Sequence, residues 1–404
     1  MDEDSERTWT DVEPEIEGEF PWRPVLGWGP RMLGAVAPPW EWSDVSVHGD
    51  RIYLLGRGEP ATVVVVNPDG DLLEWWAWGL DEDPLRLKRP LRTPEREQIE
   101  AQRREIEREK ERTRDPVRLS ELDEDLEDLR EREENPLSSR PHGITVAPDG
   151  RVAIVDAERH VVRLFTPQGE LQRTIGRLDE PADTGVETED HPVPGWTATV
   201  KRAGRPFNRP TKAAFAADGS LYVSDGYGNA RIHHFGMAGE RLRSWGEPGI
   251  EPGQFKLPHS VLVRRDGDVL VADREADRLQ LFDPAGRWIR SFESVRRPTG
   301  IAELPDGRIV VAEMPWKRWE PTPRRGAESE GTPARITLLD PEGEVIGRYG
   351  NPRIKRKHDT RPGLLCAPHG VAVDARGDLY VTEVSSSLQG RRQPFTVQKF
   401  ALVG

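Results

Sequence analysis

The chain has 404 residues, a formal net charge of −13, and 35% hydrophobic against 32% charged residues. This length suits one large repeat domain or two ordinary domains. The 38 glycines and 36 prolines are typical of a turn-rich protein rather than a helical one. The acidic balance argues against a general nucleic-acid binder, which needs a basic face for phosphate groups.

The cysteine content and the N-terminus predict a cytoplasmic protein. Cys366 is the only cysteine, so no intrachain disulfide can form and nothing requires an oxidising compartment. Residues 1–19 are acidic and lack the apolar core of a signal peptide. No stretch approaches the roughly 20 apolar residues of a membrane span. We therefore expect neither a membrane nor a nucleic acid as a partner.

In chain order, an N-terminal extension over residues 1–39 precedes a repeat that fills residues 40–404. Five copies share one pattern, in which a turn glycine follows a marked position by 8 residues and an acid follows it by 14. The marked positions are His142, Thr211, His259, Thr299 and His369, the glycines are Gly150, Gly219, Gly267, Gly307 and Gly377, and the acids are Asp156, Asp225, Asp273, Glu313 and Glu383. A degenerate first copy over residues 42–59 has Ser43 at the marked position.

Each copy consists of two short strands rich in β-branched residues and joined by a turn, mostly of the Asp-Gly kind, which predicts a hairpin. Most copies are followed by a second hairpin, as in residues 161–175 and 278–292. Four strands make one propeller blade, and six blades close into a ring without exposed edges. The last copy ends at residues 395–403 without a second hairpin, so we expect its outer strand to come from residues 25–28. The predicted fold is an all-β, six-bladed propeller.

The uneven spacing of the copies predicts insertions at about residues 81–135, 177–205 and 314–333. The first is strongly charged and has the pattern of two helices broken at Asp115 and Pro116. Within it, a narrow apolar stripe has helical spacing and consists of Leu119, Leu122, Leu126 and Leu129. We expect a helical hairpin on the propeller rim. An alternative interpretation is an element for docking a protein partner or for self-association.

Residues at one repeat position form a ring around the propeller axis. Histidine occupies the marked position in the second, fourth and sixth copies, and Ser43, Thr211 and Thr299 occupy it in the others. A single such histidine is usually a packed core residue, but three at alternate copies favour a metal site. Imidazole suits zinc, iron or another divalent ion, and three ligands with an open position are typical of catalytic metal sites. The predicted metal ligands are His142, His259 and His369.

A second set of residues follows the repeated acid or its equivalent, where loops face the channel mouth. It comprises Arg57, Arg274, Met314 and, one residue later in its copy, Tyr227. The arginines either form salt bridges with neighbouring blades or hold a substrate carboxylate. Because a nearby cation stabilises a phenolate, Tyr227 is a candidate general base; its alternative role is ring packing. Met314 is a candidate substrate contact.

The most specific stretches of the chain are residues 207–235, 245–263 and 271–283, which contain the motifs SDGYGNAR, LPHS and ADRE. They resemble peptidyl-α-hydroxyglycine α-amidating lyase, a zinc-dependent six-bladed propeller of the NHL-repeat type. The resemblance implies that His142, His259 and His369 bind zinc and that Tyr227 is the general base. It also implies that Arg57 and Arg274 bind and polarise the substrate.

The reaction implied by the resemblance splits an N-acyl or peptidyl α-hydroxyglycine, a carbinolamide, into an amide and glyoxylate. The substrate would be a peptide or a small molecule bearing a carboxylate. Gly370 stands where the animal enzymes have an acid at a structural calcium site, which does not favour calcium here. Two alternatives remain: a non-catalytic NHL propeller that binds proteins, and a metal-dependent propeller hydrolase such as a lactonase.

Overall fold

The structure is a computed structural model that describes residues 14–29, 41–57, 61–78, 93–114, 141–186, 200–315, 332–350, 363–384 and 396–403, with isolated positions between 116 and 126. Six antiparallel sheets arranged as propeller blades make up this part of the chain. The prediction of an all-β, six-bladed propeller is therefore confirmed.

The first three blades follow one another along the chain, each with its strands in sequence order. Blade 1 contains β3 (Glu41–His48), β4 (Arg51–Arg57), β5 (Ala61–Val66) and β6 (Leu72–Trp78). Blade 2 contains β7 (Pro141–Val146), β8 (Val152–Asp156), β9 (Val161–Phe165) and β10 (Leu171–Gly176). Blade 3 contains β11 (Pro210–Phe215), β12 (Leu221–Asp225), β13 (Arg231–Phe235) and β14 (Arg241–Trp245).

The last three blades repeat this order, and the N-terminal segment completes two of them. Blade 4 contains β15 (Pro258–Val263), β16 (Val269–Asp273), β17 (Arg278–Phe282) and β18 (Trp288–Phe292). Blade 5 contains β19 (Pro298–Glu303), β20 (Ile309–Glu313), β21 (Arg335–Leu339), β22 (Val345–Gly350) and, outermost, β1 (Glu15–Gly18). Blade 6 contains β23 (Pro368–Val373), β24 (Leu379–Glu383), β25 (Val397–Leu402) and, outermost, β2 (Trp22–Pro24).

The N-terminal segment bridges blades 5 and 6. Trp22 in β2 is fully buried, and its indole N–H donates to the carbonyl of Gly377 at 2.7 Å. Phe20 stacks on Tyr349 of blade 5 with ring centroids 5.1 Å apart. The strand lies closer to the N-terminus than the expected residues 25–28, because the aromatic side chains of Phe20 and Trp22 fill the core between these blades. The fifth strand of blade 5 has no counterpart in the sequence pattern.

In four of the blades the repeated acid fastens the blade to the loop that leads into its inner strand. In blades 3 to 6 their carboxylates are buried and accept backbone N–H groups of that loop. Asp273 accepts from Lys256 and Leu257 at 2.9 and 3.0 Å, and Glu383 accepts from Ala367 at 2.8 Å. The regular spacing of the acids therefore reflects a structural role that positions the start of each inner strand.

The predicted charged helical hairpin is not supported by the structure. The insertion contains one continuous helix among its described residues, α1 (Thr93–Arg112). Most of the second predicted helix, and most of the insertion at 314–333, lie outside the described residues. In the part of the chain that the structure describes, no helix is both long enough and apolar enough to cross a membrane.

Candidate metal and substrate site

A β-bulge places one residue of every blade on the propeller axis. In each pairing of the two innermost strands the register shifts by one residue, so that residue has no partner across the strand pair. These six residues, which we call the axial ring, are Ser43, His142, Thr211, His259, Thr299 and His369. A bulge bends its strand and re-aims the side chain of the extra residue. All six are buried.

The three histidines of the axial ring form a trigonal cluster. The imidazole centroids of His142, His259 and His369 are 4.7 Å apart in all three pairs. One nitrogen from each ring lies within 4.8 Å of the other two. The structure therefore brings together the three predicted metal ligands, one from each alternate blade.

Backbone carbonyls of the intervening blades fix the orientation of each imidazole. The Nδ1 atoms of His142, His259 and His369 lie 2.6, 2.9 and 2.6 Å from the carbonyl oxygens of Thr211, Thr299 and Ser43. A carbonyl oxygen only accepts hydrogen bonds, so each Nδ1 carries the hydrogen. In the neutral imidazole the Nε2 lone pair is then available at the axis, which is the usual arrangement of metal-binding histidines.

Burial keeps these imidazoles neutral. It lowers the pKa of all three histidines well below the ordinary 6.5. Neighbouring cations lower these pKa values further: Arg57 acts on His142 and His369, and Arg274 acts on His259. A cluster of neutral imidazoles is the form that binds a metal ion.

Tyr227 was predicted at the channel mouth, and its hydroxyl reaches the histidine cluster. The oxygen lies 2.9 Å from His142 Nε2 and 3.1 Å from His259 Nε2. A phenol has one hydrogen to donate, whereas three Nε2 lone pairs converge at this place. A divalent ion satisfies all three acceptors at once, so the donor set fits the predicted metal.

Arg274 lies against Tyr227 and is held by acidic and basic neighbours. Its Nη1 donates to the Tyr227 hydroxyl at 3.3 Å, and its guanidinium lies 5.4 Å from the centre of the phenol ring. Its Nε donates to Glu275 at 2.8 Å, and Arg297 of blade 5 donates to the same Glu275 oxygen at 3.0 Å. These arginines lower the pKa of Glu275 to about 2 despite its burial.

Arg57 and Met314 occupy other parts of the same end of the propeller. Arg57 donates from Nε to the carbonyl of Pro141, the residue before His142, at 3.1 Å and from Nη1 to Glu41 at 2.8 Å. Met314 is buried in a small cluster with Ala367 and Val384. Arg57 therefore lies beside a candidate ligand, whereas Met314 packs two residues away from His369, against Ala367.

Sequence reasoning missed the partners of the two arginines, Glu41, Glu275 and Arg297. One signal was available for Arg297. The tripeptide Arg-Pro-Thr occurs at both Arg209 and Arg297, two residues before an axial threonine, and both arginines have positive φ angles, +60° and +36°. A repeated residue in a backbone conformation that is uncommon outside glycine indicates a constrained position.

Gly370, the residue after the third candidate ligand, lies against Asp44 of blade 1. A Cβ atom on Gly370 would lie 2.3 Å from Asp44 Oδ1, so the Asp44 carboxylate takes the space of a side chain at 370. Asp44 pairs with the ammonium group of Lys212, which also donates to the carbonyl of Ile144 at 2.9 Å. The residue after the third candidate ligand is therefore packed against an ion pair that joins blades 1 and 3.

The other histidines that the structure describes lie outside the trigonal cluster. His233 is buried within blade 3, between Ser244 at 2.8 Å and Asp225 at 3.4 Å. His160 Nδ1 accepts the backbone N–H of Arg209 at 3.0 Å. His191 and His358 are outside the described residues.

The sequence is similar to those of several known proteins. Peptidyl-alpha-hydroxyglycine alpha-amidating lyase 1 of Drosophila melanogaster is 26% identical over 276 residues, 64% of this chain and 44% of the relative. Peptidyl-glycine alpha-amidating monooxygenase of Mus musculus is 31% identical over 65% of this chain and 23% of the relative. NHL repeat-containing protein 3 of Mus musculus is 31% identical over 61% of this chain and 64% of the relative.

No protein-family model matches the sequence. The alignments span about half of the length of the two lyases and about a quarter of the monooxygenases. The six blades of the fold and the sequence motifs SDGYGNAR, LPHS and ADRE support the same relationship as the alignments. The chain is therefore a six-bladed β-propeller related to the peptidyl-α-hydroxyglycine α-amidating lyases and to the NHL-repeat proteins.

Proposed function

We propose that this protein is a zinc-dependent lyase that cleaves an N-acyl or peptidyl α-hydroxyglycine into an amide and glyoxylate. The observation that carries the proposal is the position of the Tyr227 hydroxyl, between two histidine nitrogens and within 3.3 Å of Arg274. It combines a metal-binding donor set, a proton acceptor and a fixed cation in one buried place. The cytoplasm is the proposed location, because the chain has a single cysteine.

The proposed reaction is redox-neutral and consumes no water. When bound by His142, His259 and His369, zinc supplies Lewis acidity towards the substrate hydroxyl. Tyr227 removes the hydroxyl proton, the C–O bond becomes the aldehyde of glyoxylate, and the C–N bond breaks. The departing amide nitrogen takes up one proton, so the proton removed from the hydroxyl balances the equation.

Arg274 and Arg57 are the proposed ligands of the substrate carboxylate. A guanidinium group binds a planar carboxylate with two parallel hydrogen bonds, which gives direction as well as charge. Arg274 is the better placed of the two, because it already contacts the proposed base. Met314 is proposed as an apolar contact for the substrate, beside Ala367.

The test measures metal content and glyoxylate release by the purified protein with an α-hydroxyhippurate substrate. We expect about one zinc per chain, with iron or another divalent ion as the alternative, and stoichiometric glyoxylate and amide. His259→Ala should lose the metal and the activity. His48→Ala removes a histidine outside the cluster and should retain both. Tyr227→Phe should retain the metal and lose activity, which separates the base from the ligands.

A non-catalytic role is the second candidate, because an NHL repeat-containing protein is as similar in sequence as the monooxygenases. A protein with no bound transition metal, or a His259→Ala variant with full metal content, would favour that role. Metal content without glyoxylate release, combined with turnover of a lactone, would instead favour a metal-dependent propeller hydrolase.

A further inference from the structure

The three hydroxyl residues of the axial ring make the same contact in each of their blades. The hydroxyls of Ser43, Thr211 and Thr299 donate to the carbonyl oxygens of Pro141, Pro258 and Pro368 at 3.0, 2.8 and 2.8 Å. Each of these prolines immediately precedes a ring histidine in the next blade. The peptide group that carries each candidate ligand is therefore held by a hydroxyl from the preceding blade.

These contacts join the histidine contacts in one closed circuit. Each ring histidine donates from Nδ1 to the carbonyl of the next hydroxyl residue, and that hydroxyl donates to the proline carbonyl one blade further on. All six hydrogen bonds run in the same direction around the axis, from one blade to the next. The circuit also crosses the seam between blades 6 and 1, where His369 meets the carbonyl of Ser43 at 2.6 Å.

We propose that Ser43, Thr211 and Thr299 are positioning residues that set the geometry and affinity of the metal site. A bulge leaves the ring residue without a ladder partner, so the regular sheet does not hold the Pro-His peptide there. The hydroxyl supplies that restraint. The backbone carbonyl of the same residue sets the tautomer of the histidine in the preceding blade. Each hydroxyl residue thus orients two different ligands, one through its backbone and one through its side chain.

The inference rests on the metal of the proposed function, but not on the lyase chemistry. Groups behind metal ligands typically change metal affinity by about 10- to 100-fold when they are removed. Thr299 offers the clearest test, because its hydroxyl contacts the Ala312 and Pro368 carbonyls, whereas Thr211 also contacts the side chain of Ser224. Thr299→Val keeps the shape of the side chain and removes the donor. Thr299→Ser keeps the donor.

The experiment measures Zn²⁺ affinity by chelator competition with metal-free protein and records the visible spectrum of the Co²⁺-loaded protein. Thr299→Val should bind Zn²⁺ about 10- to 100-fold more weakly and shift the Co²⁺ bands, and Thr299→Ser should resemble the unsubstituted protein. The matched control is Ser220→Ala in blade 3, which removes a buried hydroxyl bonded to Asp218 in the turn between β11 and β12. This control should lower the stability of the protein but leave the Zn²⁺ affinity and the Co²⁺ spectrum unchanged. Ser43→Ala provides a second ring variant in case Thr299→Val does not fold.

The outcomes separate this inference from the proposed reaction. If Thr299→Val and Ser43→Ala bind Zn²⁺ as tightly as Ser220→Ala does, with an unchanged Co²⁺ spectrum, the hydroxyls are merely structural and the inference is overturned. If the ring variants lose affinity but the unsubstituted, zinc-loaded protein releases no glyoxylate, the inference stands and the lyase assignment fails.

Discussion

Replacing Glu275 by glutamine should destabilise the protein at neutral pH and release the restraint on Arg274. Glu275 is buried and bonded to two guanidinium groups, those of Arg274 and Arg297. A carboxyl whose pKa falls from 4.5 to about 2 on folding contributes about 3 kcal/mol at pH 7. Glutamine removes the charge that both buried arginines share, and breaking a buried pair in this way costs about 3–5 kcal/mol.

The pH dependence of this effect has a definite sign. Because folding lowers the pKa, the stabilisation by Glu275 is complete above about pH 4.5 and is lost as the pH falls towards about 2. Urea unfolding of Glu275→Gln and of the parent protein at pH 7, 5 and 4 measures it. The difference in free energy of unfolding should be largest at pH 7 and should narrow at pH 4.

An exposed acid supplies the control for this measurement. Glu342→Gln removes a carboxylate at an exposed turn of blade 5 and should change stability by less than about 0.5 kcal/mol. A Glu275→Gln variant as stable as the Glu342→Gln variant at pH 7 would refute the reasoning. So would a destabilisation that stays constant down to pH 4, because the carboxylate charge would then not be its source.

Three further predictions concern stability. The metal-free protein should lose free energy of unfolding below about pH 6.5, because the ring histidines become protonated in the unfolded chain but stay neutral when buried in the folded protein. Urea titrations between pH 7.5 and 5.5 measure this loss. Gly370→Ala places a Cβ against Asp44 and should cost about 1–3 kcal/mol, whereas Gly29→Ala meets open space and should be neutral in thermal unfolding. Trp22→Ala should cost about 3–5 kcal/mol in urea unfolding, because it empties the core beneath β2 and removes the bond to Gly377.

The trigonal cluster could be predicted because its signal is periodic. Once six copies are recognised, rotation about the axis places His142, His259 and His369 together without any knowledge of local geometry. The same reasoning placed Tyr227 and Arg274 at one end of the channel, and the structure finds them in contact. A repeat therefore indicates in the sequence which distant residues lie close together, whereas a single position gives no such information.

The remaining features depend on local geometry that the repeat does not encode. The bulge that turns each ring side chain towards the axis cannot be recognised from one residue type, since serine, threonine and histidine all occupy it. The pairing of Arg274 with Glu275 joins sequence neighbours, but its extension to Arg297 joins two blades, and no sequence spacing encodes that contact. Strand β1 pairs with β22 through backbone groups, and all four of its residues, EIEG, are exposed, so they carry no alternating pattern of buried side chains.

The alternation of histidine and hydroxyl residues has a steric reason. With centroids 4.7 Å apart, the three imidazoles already meet edge to face, so a fourth ring at a hydroxyl position would have to enter the space where their Nε2 atoms converge. Serine and threonine are short enough to leave that space open, while their carbonyls still reach the neighbouring Nδ1 atoms. In this six-fold scaffold every second ring position is therefore small and polar, and its hydroxyl donates onward to the next blade. In the proposed zinc site, these hydroxyl residues would act together with the histidines that hold the ion.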